Sequence, residues 1–245
     1  MGMLYACKSD TGKRKNNEDA CYVPDGSCPL PFAAVSDGMG GMAGGEIASR
    51  LVIEGLKRML SAPSEQNENV LLRQVVRALH IDILDAVKAD PSLRGMGATL
   101  VMALPREDTF TALNIGDSRL YHLHGDTLTR VTTDHSLVAA LVAMGAITEE
   151  EARFHPRRNI ITRAVGLDTL PAPDIRVCGW QAGDMLLLCS DGLSGALEDA
   201  GIAAILTDSG IRFAEKPDAL IRAALEAGST DNITVALVLN GGTDA

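Results

Sequence analysis

Two segments of the chain end an apolar run in the same way. Val35-Ser-Asp37-Gly38 and Leu188-Cys-Ser-Asp191-Gly192 each deliver one carboxylate at the end of what reads as a buried strand. A third acid, Asp231, stands just before the last apolar stretch, and a fourth, Asp117, sits in a turn between two others. Glu18-Asp19 adds a pair near the start. A single Asp-Gly is a common turn pair. Several acids at the edge of a sheet core repel one another and are costly to bury unless a cation stands among them. Donors that are all oxygen select a hard cation, magnesium or manganese, over zinc or copper. Two such ions roughly 3.5–4 Å apart lower the pKa of a shared water and clamp a phosphoryl oxygen. A phosphate site also needs a positive anchor outside the ligand set. Arg14, four residues before Glu18, offers a guanidinium for it.

Other chemistries fit less well. Gly38-Met-Gly40-Gly-Met-Ala43 matches a dinucleotide-binding fingerprint between a strand and a helix. A second helix follows the first, so the unit lacks its second strand and ribose acid, and Asp37 repels a pyrophosphate. Neither Ser118 nor Ser190 sits in a nucleophile elbow. His135 and His155 read as structural, and Met39, Met42 and Met144 as packing or substrate-side residues. The five cysteines include no CxxC pair, which argues against zinc.

The elements that must hold these residues follow from hydrophobic period. Strands are predicted over 4–10, 32–36, 98–104, 109–115, 119–124, 175–177, 184–189 and 233–239. Helices are predicted over 46–60, along Leu72, Val75, Leu79, Ile83 and Val87, over 136–144 and 198–206, and from Pro217. Pro63 breaks the chain between the first two. Thr148-Glu-Glu-Glu151 reads as a capping box opening a short helix that stops before Pro156. Two helices followed by consecutive strands are not a βαβ alternation; they point to helices layered over antiparallel sheet.

At 245 residues the chain can bury a substantial core. A net charge of −10 and an aromatic content of 3% argue against nucleic acid as a partner. The opening residues show no secretory signal, and no apolar run is long enough to span a membrane. The expectation is a cytoplasmic protein with reduced thiols and no membrane partner.

Taken together, the motifs resemble the metal-dependent type 2C Ser/Thr protein phosphatases, and most of all their compact bacterial members. The resemblance runs from about Tyr5 to Leu239. It rests on Arg14-Lys-Asn-Asn-Glu-Asp19, Val35-Ser-Asp-Gly-Met-Gly-Gly41, Gly97-Ala-Thr99, Asn114-Ile-Gly-Asp-Ser-Arg119, Asn159-Ile-Ile-Thr-Arg-Ala-Val-Gly166, Cys189-Ser-Asp-Gly192 and Asp231-Asn-Ile-Thr234.

The fold implied is α+β, a four-layer α-β-β-α sandwich of two antiparallel β-sheets flanked by helices. Residues 1–245 form one phosphatase domain, with a small helical flap over about 136–166. By the same resemblance Asp37 bridges two ions, Mn2+ or Mg2+. Glu18 and the Gly38 carbonyl hold one, Asp191 and Asp231 the other. Asp117, with Asp191, matches a third, weaker site. Asp19 and Asn232 support the ligands from behind, and Arg14 binds phosphate. The activity implied is hydrolysis of phosphoserine and phosphothreonine on proteins by a metal-bridged hydroxide, opposing a cognate Ser/Thr kinase, with the enzyme a monomer. Two departures stand out. Met39 occupies the position where many eukaryotic members carry a His proposed as general acid, and Ala98 replaces a threonine. A phosphatase-like binding protein without turnover and a hydrolase of small phosphoesters are the alternatives.

Overall fold

The structure is a computed structural model that describes residues 2–25, 30–40, 44–61 and 67–241. The end of the glycine-rich loop at 41–43, the predicted break at Pro63, and Cys28 lie outside the described residues.

Two antiparallel sheets face each other. The first contains β1 (Leu4–Asp10), β7 (Arg119–His124), β8 (Thr127–Arg130), β10 (Met185–Cys189) and β11 (Ile233–Leu239), in the order β1-β11-β10-β7-β8. The second runs β2-β3-β5-β6-β9: β2 (Asp19–Tyr22), β3 (Ala33–Met39), β5 (Leu100–Pro105), β6 (Thr109–Ile115) and β9 (Asp174–Gly179). The short β4 (Gly97–Ala98) pairs with the end of β3. Small side chains fill the space between the sheets, among them Ala33, Val35, Val101, Ala103, Ala236 and Val238, so the two layers lie close.

Each outer face is covered by helices. α1 (Gly44–Met59) and α2 (Glu68–Ala89) place Val52, Leu56, Leu72, Leu79 and Ile83 on the second sheet, against Leu100, Met102 and Leu113. On the first sheet, α6 (Asp199–Thr207) and α7 (Lys216–Glu226) set Ile202, Leu206, Leu220 and Ile221 over Tyr121, Leu187 and Leu237. The layer order is α-β-β-α, as the sequence predicts. Between β8 and β9 lie two short helices, α3 (Leu137–Ala143) and α4 (Glu149–Phe154), and α5 (Asp191–Ser194) directly follows β10.

Several boundaries differ from the sequence reading. β3 continues through Asp37 and Gly38 to Met39, because Gly38 and Met39 find ladder partners in Ala98 and Gly97. β2 and β8 are four residues each, too short to show a period. Asp191 opens a helical turn rather than ending a strand.

Candidate active site

Strand alternation decides which side chains reach one end of the inter-sheet core. On β3, Ala33 and Val35 face that core, and Asp37 is in phase with them. On β2, Asp19 is in phase with the core residue Cys21 and stands opposite Asp37 in the ladder. The first sheet answers with Thr234, in phase with Ala236 and Val238 on β11. Asp191 leaves the end of β10 and Asp231 lies two residues before β11. Asp117 occupies the turn between β6 and β7. Both sheets thus contribute carboxylates to one end of the sandwich.

Glu18 and Gly38 meet on the second sheet's side. A Cβ at Gly45 would stand 2.7 Å from Glu18 Oε2 and 2.8 Å from the Gly38 carbonyl oxygen. These two oxygens therefore face one spot at the first turn of α1, and only glycine there leaves them room. Gly38 itself sits so close to α1 that a Cβ would stand 1.9 Å from the Gly45 carbonyl oxygen.

The acids feel one another. Burial first, and then the charges of Asp19, Asp191, Asp117 and Asp231, push the Asp37 carboxyl far above the usual carboxylate range. Burial likewise raises Asp19, Asp117 and Asp191, with neighbouring aspartates adding to it. Glu18 is raised by burial, with Arg14 opposing. Oδ1 of Asp19 and Oδ1 of Asp117 are buried without a hydrogen-bond partner. Orphaned carboxylate oxygens and mutually raised acids are what a set of hard-cation ligands becomes when nothing neutralises it. The donor set fits magnesium or manganese. Among the described residues, no three acidic, histidine or cysteine side chains are drawn together tightly enough to grip an ion as they stand.

Arg14 lines the groove beside the acids and is paired with one of them. Its Nη2 lies 2.8 Å from Asp231 Oδ2, and its side chain is 56% exposed. Asn232 accepts the Glu18 N–H at Oδ1 (2.8 Å) and donates from Nδ2 to the Thr11 and Asn16 carbonyls, both at 2.9 Å. It thereby ties the loop bearing Arg14 and Glu18 to β11. Met39, at the end of β3, offers no proton.

Two residues given no role by the sequence reading hold the acids. Thr99 Oγ1 accepts the Asp37 N–H at 2.9 Å, its own N–H donates to the Asp37 carbonyl at 2.8 Å, and Oγ1 lies 2.8 Å from Ser118 Oγ. Ser190 Oγ donates to Asp19 Oδ2 at 2.7 Å and accepts the Thr234 N–H at 3.0 Å. Thr99 was signalled by Gly97-Ala-Thr99 and Ser190 by its repeated place before an Asp-Gly. A groove of about 840 Å³ runs from Arg14, Asp191 and Asp231 past Asp117 to Arg153 and Phe154 on α4.

A family model described as Protein phosphatase 2C matches residues 8–227. The serine/threonine phosphatase stp of Listeria innocua is 36% identical over 94% of this chain and 93% of its own length. The crystal structure of the Mycobacterium tuberculosis serine/threonine phosphatase PstP/Ppp superposes with a TM-score of 0.89 at 38% identity, covering 98% of this chain and 99% of that one. A structure of the PstP catalytic domain in complex with two manganese ions superposes with a TM-score of 0.86 at 37% identity, covering 97% of each chain. With a domain-wide family match and an acidic end shared by two sheets, the chain belongs to the protein phosphatase 2C family and is a protein-serine/threonine phosphatase.

Proposed function

We propose that the chain dephosphorylates phosphoserine and phosphothreonine on proteins with two divalent cations, Mn2+ or Mg2+, held among its acids. Asp37 would serve both ions, with Glu18 and the Gly38 carbonyl holding one and Asp191 and Asp231 the other. Asp117, with Asp191, takes a third, weaker ion. Bound ions supply charge neutralisation and a water acidic enough to be the nucleophile toward phosphorus. The single observation that carries this reading is the gathering of Asp19, Asp37, Asp117 and Asp191, each raised by burial and by its neighbours.

The protein's own groups do the rest. Arg14 exchanges its bond to Asp231 for phosphoryl oxygens, where its planar fork fits two at once and offsets the charge that spreads in the transition state. Thr99 fixes the Asp37 backbone, Ser190 fixes the Asp19 carboxylate, and Asn232 fixes the approach of Glu18. Since Met39 is no acid, the leaving alkoxide takes its proton from solvent-derived water rather than from a side chain. The segment 136–166 forms a flap beside the groove, within one domain spanning 1–245. The enzyme works as a cytoplasmic monomer opposing a Ser/Thr kinase.

Turnover of a phosphothreonine peptide is expected to require added manganese or magnesium and to cease on chelation. Full activity in metal-stripped protein with chelator present would sink the proposal. Rates on a phosphopeptide are expected to exceed those on a small aryl phosphate once matched for concentration; the reverse order would favour a small-phosphoester hydrolase.

A further inference from the structure

The turn that carries Asp117 is built on a residue far along the chain. Gly116 takes φ +106°, and a Cβ there would stand 2.6 Å from the Thr99 side chain, so one flank of the turn is packed against the residue that bonds the Asp37 backbone. On the other flank is His135, which is only 6% exposed. The His135 N–H donates to the Gly116 carbonyl at 2.9 Å, and the Gly116 N–H donates back to His135 Nδ1 at 3.1 Å. Asn114 Nδ2 adds bonds to the Gly116 and Thr133 carbonyls at 3.2 and 3.0 Å. The turn is thus clamped on both sides while Asp117 Oδ1 is left without a partner.

The ring's second nitrogen completes the clamp. An N–H donor at Gly116 requires the lone pair on Nδ1, so the ring proton sits on Nε2. Nε2 lies 3.3 Å from Asp174 Oδ2 on β9 and 3.2 Å from Arg163 Nη1; the guanidinium has no lone pair to accept the ring proton, so that proton goes to Asp174, whose Oδ1 is paired with Arg163 Nη1 at 3.1 Å. The His135 carbonyl accepts the Thr162 N–H at 2.8 Å, and Leu137 N–H donates to the Ile160 carbonyl at 2.8 Å. The segment containing α3 and α4 therefore begins and returns on either side of this one histidine.

We propose that His135 is a positioning residue that fixes the Asp117 turn and couples it to the seating of the segment 136–166. Asp174 selects the tautomer that lets Nδ1 hold Gly116. The inference rests on the reading of Asp117 as a ligand for the weakest-held metal. A group that orients a ligand from behind contributes on the order of 10- to 100-fold in metal affinity.

The test is calorimetric titration of Mn2+ into metal-stripped wild type, His135→Ala, His135→Asn and Asp174→Asn, with hydrogen exchange followed at the Gly116 and Thr162 amides. His135→Ala is expected to weaken the weakest manganese event about tenfold or more, leave the tight events in place, and speed exchange at both amides. His135→Asn keeps an acceptor near Nδ1 and restores most of the loss, while Asp174→Asn shows a smaller weakening of the same event. If His135→Ala does not fold, Asp174→Asn carries the comparison, and unchanged weak-site affinity in it overturns the inference. Manganese binding and amide exchange in His135→Ala that match wild type overturn it too. Wild type that takes up no manganese overturns the metal assignment as well, a failure distinct from the former.

Discussion

At the scale of single residues, the acids and the arginine are expected to separate on substitution. On the proposed assignment, Asp191→Asn removes a carboxylate that serves one of the two main ions and the weaker third one, so metal uptake and turnover are expected to disappear together. Arg14→Ala frees Asp231 from its 2.8 Å pair and leaves the acids intact. Its loss is confined to phosphate: about 1.5–3 kcal/mol for a charge-assisted bond, roughly 10- to 100-fold in kcat/KM. Steady-state kinetics beside a manganese titration checks both, and loss of metal binding in Arg14→Ala would overturn the role assigned to it. The acids were legible because an apolar run ending in Asp-Gly twice is hard to explain by packing. Thr99 and Ser190 were not, because their functions exist only across strands. Thr99 serves Asp37 from 62 residues away and Ser190 serves Asp19 from 171, separations that no local pattern encodes.

Individual elements show where local pattern suffices. The capping box of α4 forms as the sequence implies: Thr148 Oγ1 accepts the Glu151 N–H and Glu151 Oε2 accepts the Thr148 N–H. Strong cap chemistry needs only four consecutive residues. Thr148→Ala is expected to cost about 1 kcal/mol locally, visible as faster amide exchange within α4 and not in the sheets. β3 is the opposite case. Its extension past Asp37 depends on pairing with Gly97 and Ala98, and Gly-Met has no strand propensity of its own. The first turn of α1 makes a sharper demand. Gly45→Ala drives a methyl against the Glu18 carboxylate and the Gly38 carbonyl, and backbone on one side cannot give way. Manganese affinity is expected to fall about tenfold or more with the fold retained, and wild-type affinity in Gly45→Ala would show that these two oxygens do not share an ion.

For the molecule as a whole, the layer order was readable because two amphipathic helices preceded a run of strands, and helices returned after the second set. The electrostatic consequence of that architecture was not readable, since it needs the two sheets brought together. Asp37, Asp19, Asp117 and Asp191 all have folded-state values above those of unfolded carboxylates, Asp117 pushed up to about 8. The folded protein then binds more protons than the unfolded chain above about pH 4. Stability of the metal-stripped protein is expected to fall as pH rises from about 4 through about 8, where Asp117 gives up its proton. Thermal unfolding with chelator present measures this, and added manganese is expected to recover the loss at the alkaline end. A chelated protein that gains stability across the same interval would mean that the acids are farther apart than they stand here.

The sharing of ligands between two sheets has a last consequence. Asp19 and Asp37 arrive on one layer, while Asp191 and Asp231 adjoin strands of the other. Neither layer alone assembles the set, so ions held as proposed would act as rivets across the seam of the sandwich. Ion capture is then possible only after the layers have docked, and the rate at which refolding protein takes up manganese becomes a clock for that final closure.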